Sequence, residues 1–388
     1  MKRILSLLLL ATLPVLAEGP DATGKGAAWL LTQQQPDGSF ASSPKGAGDV
    51  GITALAVTAL AKSGQAKAPQ VEKAVAFLLK NAHPDGSIWN DDGVGLYNYR
   101  TSISLMALHA VDPEKYKDAI QKAQAFLVGI QKSEANGNAK KGDVEEGGIG
   151  YGDDGPKNDL SNTAMALQAL KESGYTNEEV FQRAAEFAAR CQNHPSNPIN
   201  KEPGRKTGAG SDGSFFYGPR DNDPDVLDKG GLEKAPESGT EKGERDHPKG
   251  YGSMTYAGLL TMVYARLGKD DPRVSAAWGW IQKHYTLQDN PGLASVEKPL
   301  AGKQGLYYYY LTFAKAMKAY GETHVQTADG VKHRWSEELK DILVKGQKPE
   351  GFWTNENSQR WMEGNPVLAT SFALLALQIC QEDLGAGH

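Results

Sequence analysis

Two short stretches of the chain set a carboxylate in the same place. Asp159-Leu-Ser-Asn-Thr-Ala164 and Asp49-Val-Gly-Ile-Thr-Ala54 each put an aspartate directly before an Ala- and Leu-rich run, with a threonine four residues on. Two carboxylates facing one cavity could act as general acid and base, as in inverting glycosidases, where they stand about 6.5–9.5 Å apart. Aspartates that open helices are also good N-caps, because the side-chain oxygen takes up an unpaired backbone N–H. A second group is aromatic: Tyr97, Tyr99, Tyr251, Tyr256 and the run Tyr307 to Tyr310 fall at the beginnings of apolar runs, with Arg100 and His247 close in sequence to two of them. From these, Tyr99, Tyr256, Tyr307, Tyr309, Arg100 and His247 are read as cavity residues. They would form an aromatic wall for an apolar or cationic ligand, or a tyrosine acting with His247 or Arg100 in a polysaccharide lyase. Asp221-Asn-Asp-Pro-Asp-Val-Leu-Asp228 alternates carboxylates as a calcium loop does, but lacks the glycine and distal glutamate of an EF-hand and reads more simply as a solvated acidic loop. No metal or cofactor is expected.

The elements that must position these groups announce themselves by repetition. KGAAWLLTQQQPDGSF, Lys25 to Phe40, returns in degenerate form at Lys73, Lys122, Arg183, Ala276 and Glu338, intervals of roughly fifty to sixty residues except where the longer insertion separates the fourth copy from the fifth. The third and fourth copies are interrupted before their glycine turns, and the fifth is worn, with Asn290-Pro-Gly-Leu293 as its turn. Each copy reads as an amphipathic helix closed by a Gly turn, with Trp29 and Leu30, Phe77 and Leu78, and Phe126 and Leu127 packing inward. After each comes a run apolar on nearly all faces, beginning near Gly51, Thr101, Leu160, Met254, Tyr309 and Val367. Such runs suit helices buried on two sides. The alternation predicts an all-α fold, an (α/α)6 toroid of about six outer and inner helix pairs, with Trp29 sealing the ring against the last pair. Inner axes spaced ~9–10 Å apart put the first and third ~17 Å from each other. Asp49 and Asp159 would then reach the edge of the glycosidase range or exceed it.

The spaced basic, small, aromatic, Gln, Gly and aromatic residues resemble the QW repeats of squalene-hopene cyclases and related terpenoid cyclases, and the repeats of protein prenyltransferase β subunits, from about Gly24 to Gln381. The resemblance implies the toroid and a hydrophobic, isoprenoid-like ligand. In the cyclases a DxDDTA sequence opens one inner helix, and its middle Asp protonates an alkene. Asp159 to Ala164 keeps the first Asp and the Thr-Ala but has Ser161 in the middle, and the stretch from Asp49 has Gly51 there. A hydroxyl cannot supply that proton. The zinc-binding Asp, Cys and His of the prenyltransferases are not matched either, since tyrosines occupy the corresponding stretch after Gln304. The resemblance therefore points to a protein that binds an apolar molecule, or a protein partner, without the proton-donor chemistry. The alternative is an enzyme acting in the same cavity, a divergent cyclase or a secreted polysaccharide lyase or hydrolase.

Residues 1–17 have a basic start at Lys2 and Arg3, an apolar core and small residues at Val15 and Ala17, the pattern of a signal peptide. The expectation is one periplasmic or secreted domain from 18 to 388, not membrane-spanning and monomeric, since no later stretch reads as long and apolar enough to cross a bilayer. Two insertions, about 132–157 and 193–249, follow outer helices and should emerge on one face of the ring. The second has too few apolar residues for a core of its own. The formal charge of −5 gives no basic surface for nucleic acid. Cys191 and Cys380 are the only cysteines. They could pair in an oxidising compartment, although nothing in the sequence brings them together. Asp329-Gly330 suggests a hairpin turn within VQTADGVKHRW.

Overall fold

The computed structural model describes residues 21–41, 46–152, 158–220, 232–233, 246–295 and 298–386. Among them are twelve α-helices. The outer set is α1 (Ala22–Thr32), α3 (Pro69–Lys80), α5 (Lys117–Ile130), α7 (Glu178–Arg190), α9 (Pro272–His284) and α11 (Trp335–Gly346). The inner set is α2 (Val50–Leu60), α4 (Tyr97–Val111), α6 (Leu160–Glu172), α8 (Gly252–Tyr264), α10 (Leu306–Tyr320) and α12 (Pro366–Gly385). Outer helices bury a single stripe, as α3 does with Val71, Ala74, Val75 and Leu78, the spacing of one helix face. Inner helices are buried almost all round; α2 leaves only Gly51 partly exposed. Each inner helix packs on the next, and α12 returns to α2. The ring is closed, as the repeats predict.

Side chains tie each unit to the next. Gln34 Nε2 donates to Gly38 O of its own turn (2.9 Å) and to Gln70 O in the first turn of α3 (2.6 Å). Gln131, Gln192 and Gln347 repeat the pair, reaching α7, α9 and, across the closure, Ala22 O of α1 at 2.8 Å. The turn glycines follow the same course: Gly38, Gly86, Gly147, Gly213 and Gly351 have positive φ and sit so close to a carbonyl of the next outer helix that a Cβ would clash. A third link joins turn to inner helix. The backbone N–H groups of Phe40, Ile88, Ile149, Phe215 and Trp353 donate to Thr53, Thr101, Thr163, Thr255 and Thr370 at 2.8–3.1 Å. The fifth unit departs from the scheme. Gly292 packs on Gly250 and Tyr251 at the start of α8, and Gln282 donates to Gln326 in a hairpin strand. Trp29 is half-buried against Phe352, ring centroids 5.0 Å apart, at the closure. Leu30, Leu78 and Leu127 are the residues that reach the core, while their aromatic neighbours Phe77 and Phe126 are only half-buried.

Strands β1 (Leu232–Glu233) and β2 (His247–Pro248) pair, as do β3 (His324–Gln326) and β4 (Lys332–Arg334), the expected hairpin. The two insertions meet on one face: Arg220 Nε lies 2.5 Å from Glu145 Oε1, and the Tyr151 and Tyr217 hydroxyls are 3.0 Å apart. One expectation is corrected, and one open question is answered. Helix α12 is long and apolar enough to cross a membrane, but Val367 to Cys380 lie largely buried between ring neighbours, so packing accounts for its composition. Cys191, at the end of α7, and Cys380, in α12, are separate buried thiols and form no disulfide.

Candidate functional site

The N-terminal ends of the inner helices surround a cavity of about 330 Å³. Apolar side chains, among them Ile52, Leu55, Ile103, Met254 and Phe372, make most of its wall. The polar part is a set of hydroxyls. Ser161 is the second residue of α6, and its Oγ lies 2.5 Å from the Tyr99 hydroxyl and 3.0 Å from that of Tyr308. Tyr151, Tyr217 and Tyr251 complete the set. The insertions deliver two of these by backbone bonds: Asn98 N, at the start of α4, donates to Tyr151 O, and Leu160 N, opening α6, donates to Tyr217 O. Burial pushes the phenols of Tyr99, Tyr217, Tyr251 and Tyr308 upward, and the negative charge of Asp159 adds to this, so all four stay protonated.

Asp159 itself lies beneath the wall. Its Oδ1 accepts Asn162 N at 2.8 Å and its Oδ2 accepts Asn162 Nδ2 at 2.7 Å, a buried N-cap. Asn162 is held in turn by Asn98 Nδ2, which reaches its carbonyl and side-chain oxygens. Asp49 does line the cavity, but it caps α2 through Ile52 N (2.9 Å) and accepts Arg100 Nη2 at 2.7 Å. Arg100 also holds Asp92, whose carboxyl that bond keeps below the usual range. The two aspartates are therefore not presented to one space as an acid–base pair.

Of the tyrosines read from the sequence, Tyr99 faces the cavity and Tyr256, Tyr307 and Tyr309 do not. A helix turns through 3.6 residues, so of the run from Tyr307 only Tyr308 points to the axis. Tyr256 and Tyr309 pack together edge-on at 5.8 Å, Tyr309 donating to Thr286 O, and Tyr307 sits against Tyr310. His247 in β2 lies over Gly210, away from the wall. The Asp221 to Asp228 stretch is outside the described residues, and among those described no cluster of three His, Cys, Asp or Glu could hold a metal.

Sequence reasoning missed Glu363 and the residues before it. Glu363 is 1% exposed, lines the cavity, and accepts Tyr308 N and Asn355 Nδ2, both at 2.8 Å, so it caps α10 from a distant loop. Burial pushes its carboxyl up to about 7 against those donors. Trp361 and Met362 line the mouth with φ of 54° and 65°, a conformation that costs a non-glycine residue energy. Gly305 makes room for the Trp361 ring, which a Cβ would meet at 2.7 Å. Nothing in the spacing of Arg-Trp-Met-Glu-Gly links it to α10.

Residues 46–218, just under half of the chain, match the squalene-hopene cyclase C-terminal domain family. This chain is a terpenoid cyclase-like α/α toroid. The match runs through α2 to α7 and includes Asp49, Tyr99, Tyr151, Ser161 and Tyr217, but not Tyr251 or Tyr308. Among solved structures, the type II terpene cyclase MstE from Scytonema superposes with a TM-score of 0.50 at 15% identity, over 93% of this chain and 98% of that one. An Arg-to-Ala variant of MstE in complex with geranylgeranyl dihydroxybenzoate gives 0.50 at 14%, over 93% and 97%. An inactive α-1,6-mannanase variant from a Salegentibacter species, in complex with α-1,6-mannotriose, gives 0.52 at 10%, over 92% and 98%. At these identities the cyclase-like toroid shares a fold with both enzymes. No curated protein matches the sequence.

Proposed function

We propose that the protein binds a short isoprenoid-like molecule in the central cavity and does not cyclise it by protonation. The observation that carries this reading is Ser161. It stands where the DxDDTA motif would place its proton donor, faces the cavity, and is tied to two phenols that burial keeps neutral. Neither a serine hydroxyl nor a phenol raised above its usual range can protonate a carbon–carbon double bond. What remains suits binding: an apolar wall, aromatic faces, and hydroxyls that could fix one polar end. A cavity of about 330 Å³ lies at the low end of the roughly 300–1,000 Å³ usual for ligand pockets, which favours a short chain. The complex of MstE with a geranylgeranyl compound supports an isoprenoid, by analogy of fold. The basic and apolar leader at 1–17 supports export of the domain spanning 18–388 to the periplasm or beyond.

The test uses the protein lacking residues 1–17, incubated with squalene and with geranylgeraniol. Both should be recovered unchanged, with no cyclised product above a no-protein control, and geranylgeraniol should shift the melting curve. The double variant Ser161→Asp, Asn162→Asp rebuilds the acidic motif, and it too should give little turnover, because Asn162 is bonded into the Asp159 cap and the acid would lack preorganised partners. Cyclised product from the unmodified protein would overturn the reading.

A further inference from the structure

Below the cavity, the ring axis is closed by charged side chains. Glu172, at the end of α6, accepts Gln168 Nε2 at 2.6 Å and lies 3.7 Å from Lys62 Nζ and 3.8 Å from Lys315 Nζ. One carboxylate thus faces two ammonium groups. Lys62 is the wetter of the two, its side chain 40% exposed against 13% for Lys315, and it alone suffices to balance Glu172. A second ammonium in a dry setting is a net cost, because desolvation is offset only by a partner of its own. Burial accordingly pulls the Lys315 amine down to about 8, with Glu172 opposing the shift.

Lys315 is also placed to meet a ligand. It lies seven residues after Tyr308 on α10, hence on the same helix face. A void of about 20 Å³ between α6, α8 and α10 is lined by Lys315, Thr312 and Gln168, and it shares Met165 and Tyr308 with the main cavity. That room suits one group of about the size of a water molecule.

We infer that Lys315 captures the carbonyl of an aldehyde-terminated apolar chain that enters through the cavity, a conclusion that rests on the ligand reading above. The ammonium first gives up one proton to water; the free amine then attacks the carbonyl carbon, a C–N bond forms, and the carbonyl π pair becomes a hydroxyl by taking a second proton from the now cationic nitrogen. That hydroxyl regains the first proton and leaves as water, and the nitrogen lone pair completes a protonated imine. Overall, ammonium and aldehyde give iminium and water, so no oxidant or reductant is needed, and the positive charge stays beside Glu172. The chain then extends past Met165 and Tyr308 into the aromatic wall.

Farnesal, with farnesol as its non-reacting counterpart, tests this at pH 8 with cyanoborohydride to fix any imine. Because the Lys315 amine carries a roughly hundredfold larger free fraction at pH 8 than an ordinary lysine at ~10.4, peptide mapping should place the adduct on Lys315 at least roughly tenfold above exposed lysines such as Lys67. Lys315→Arg and Lys315→Met should abolish that adduct. The Met variant leaves Glu172 paired with Lys62 and should fold at least as stably as the parent. Both variants should retain the thermal shift with farnesol. Adducts spread over surface lysines while farnesol still binds would overturn carbonyl capture and leave the ligand reading standing; failure of farnesol to bind the unmodified protein would overturn both.

Discussion

At the scale of the residue, Glu363 shows how a side chain with no sequence signature becomes part of a site. The folded protein holds its proton up to about pH 7, whereas the ordinary value is 4.5. Between these values the folded state binds more protons than the unfolded one, so the contribution to stability is fully present below pH 4.5 and is lost as pH rises through 7. A shift of that size corresponds to ~3 kcal/mol. Glu363→Gln should therefore flatten the dependence of Tm on pH between 4.5 and 7, and a profile parallel to that of the parent would show that burial does not govern this carboxyl. Ser161 makes the opposite point, since its placement was legible from Asp159 to Ala164 alone. The threonine in that stretch was not evidence for the motif. Thr163 makes the same turn contact as Thr53, Thr101, Thr255 and Thr370, so the threonine belongs to the repeat, and the chemical identity of the motif rests on its acidic positions.

Among the elements, the turn-to-threonine bond is the feature that fixes where each inner helix begins relative to the outer one. Thr370→Val would leave the buried N–H of Trp353 without its acceptor, at a cost of ~1–3 kcal/mol. Thr312→Val removes a hydroxyl whose bond to Tyr308 O stays within its own helix, and should cost ~1 kcal/mol or less. Chemical denaturation of the two variants should separate them in that order; equal losses would mean that the bond to the turn has no special weight. Helix order and ring membership could be read from the repeats because burial on one stripe or on all faces is written in composition. Rotational phase could not. A run of four tyrosines satisfies every phase equally, and only the start of α10 after the left-handed Gly305 decides that Tyr308 faces the axis while Tyr309 faces Tyr256 and Thr286. The tyrosines brought in by the insertions, Tyr151 and Tyr217, were hidden because loops carry no period to count from.

For the whole molecule, closure brings the first and last described helices together: Gln381 Nε2 donates to Thr23 Oγ1, and Gln347 reaches Ala22 O. A circular permutant that joins 386 to 21 through a short glycine-serine linker and opens between Asp329 and Gly330, at an exposed hairpin tip, should fold and retain a Tm close to that of the parent. Collapse of the permutant would mean that chain order, and not ring contacts alone, is needed for closure. The ring is not evenly made, however. In the fifth unit the turn glycine grips the start of α8 and Gln282 reaches the β3 strand, so the side-chain link to α11 falls to Tyr285, which donates to Glu338. A hoop with one weaker joint does not share load evenly. It parts at that joint, so the sector between α9 and α11 is where the circle yields first under heat or tension, and amide exchange in the hairpin from His324 to Arg334 should run ahead of that at every other junction between described units.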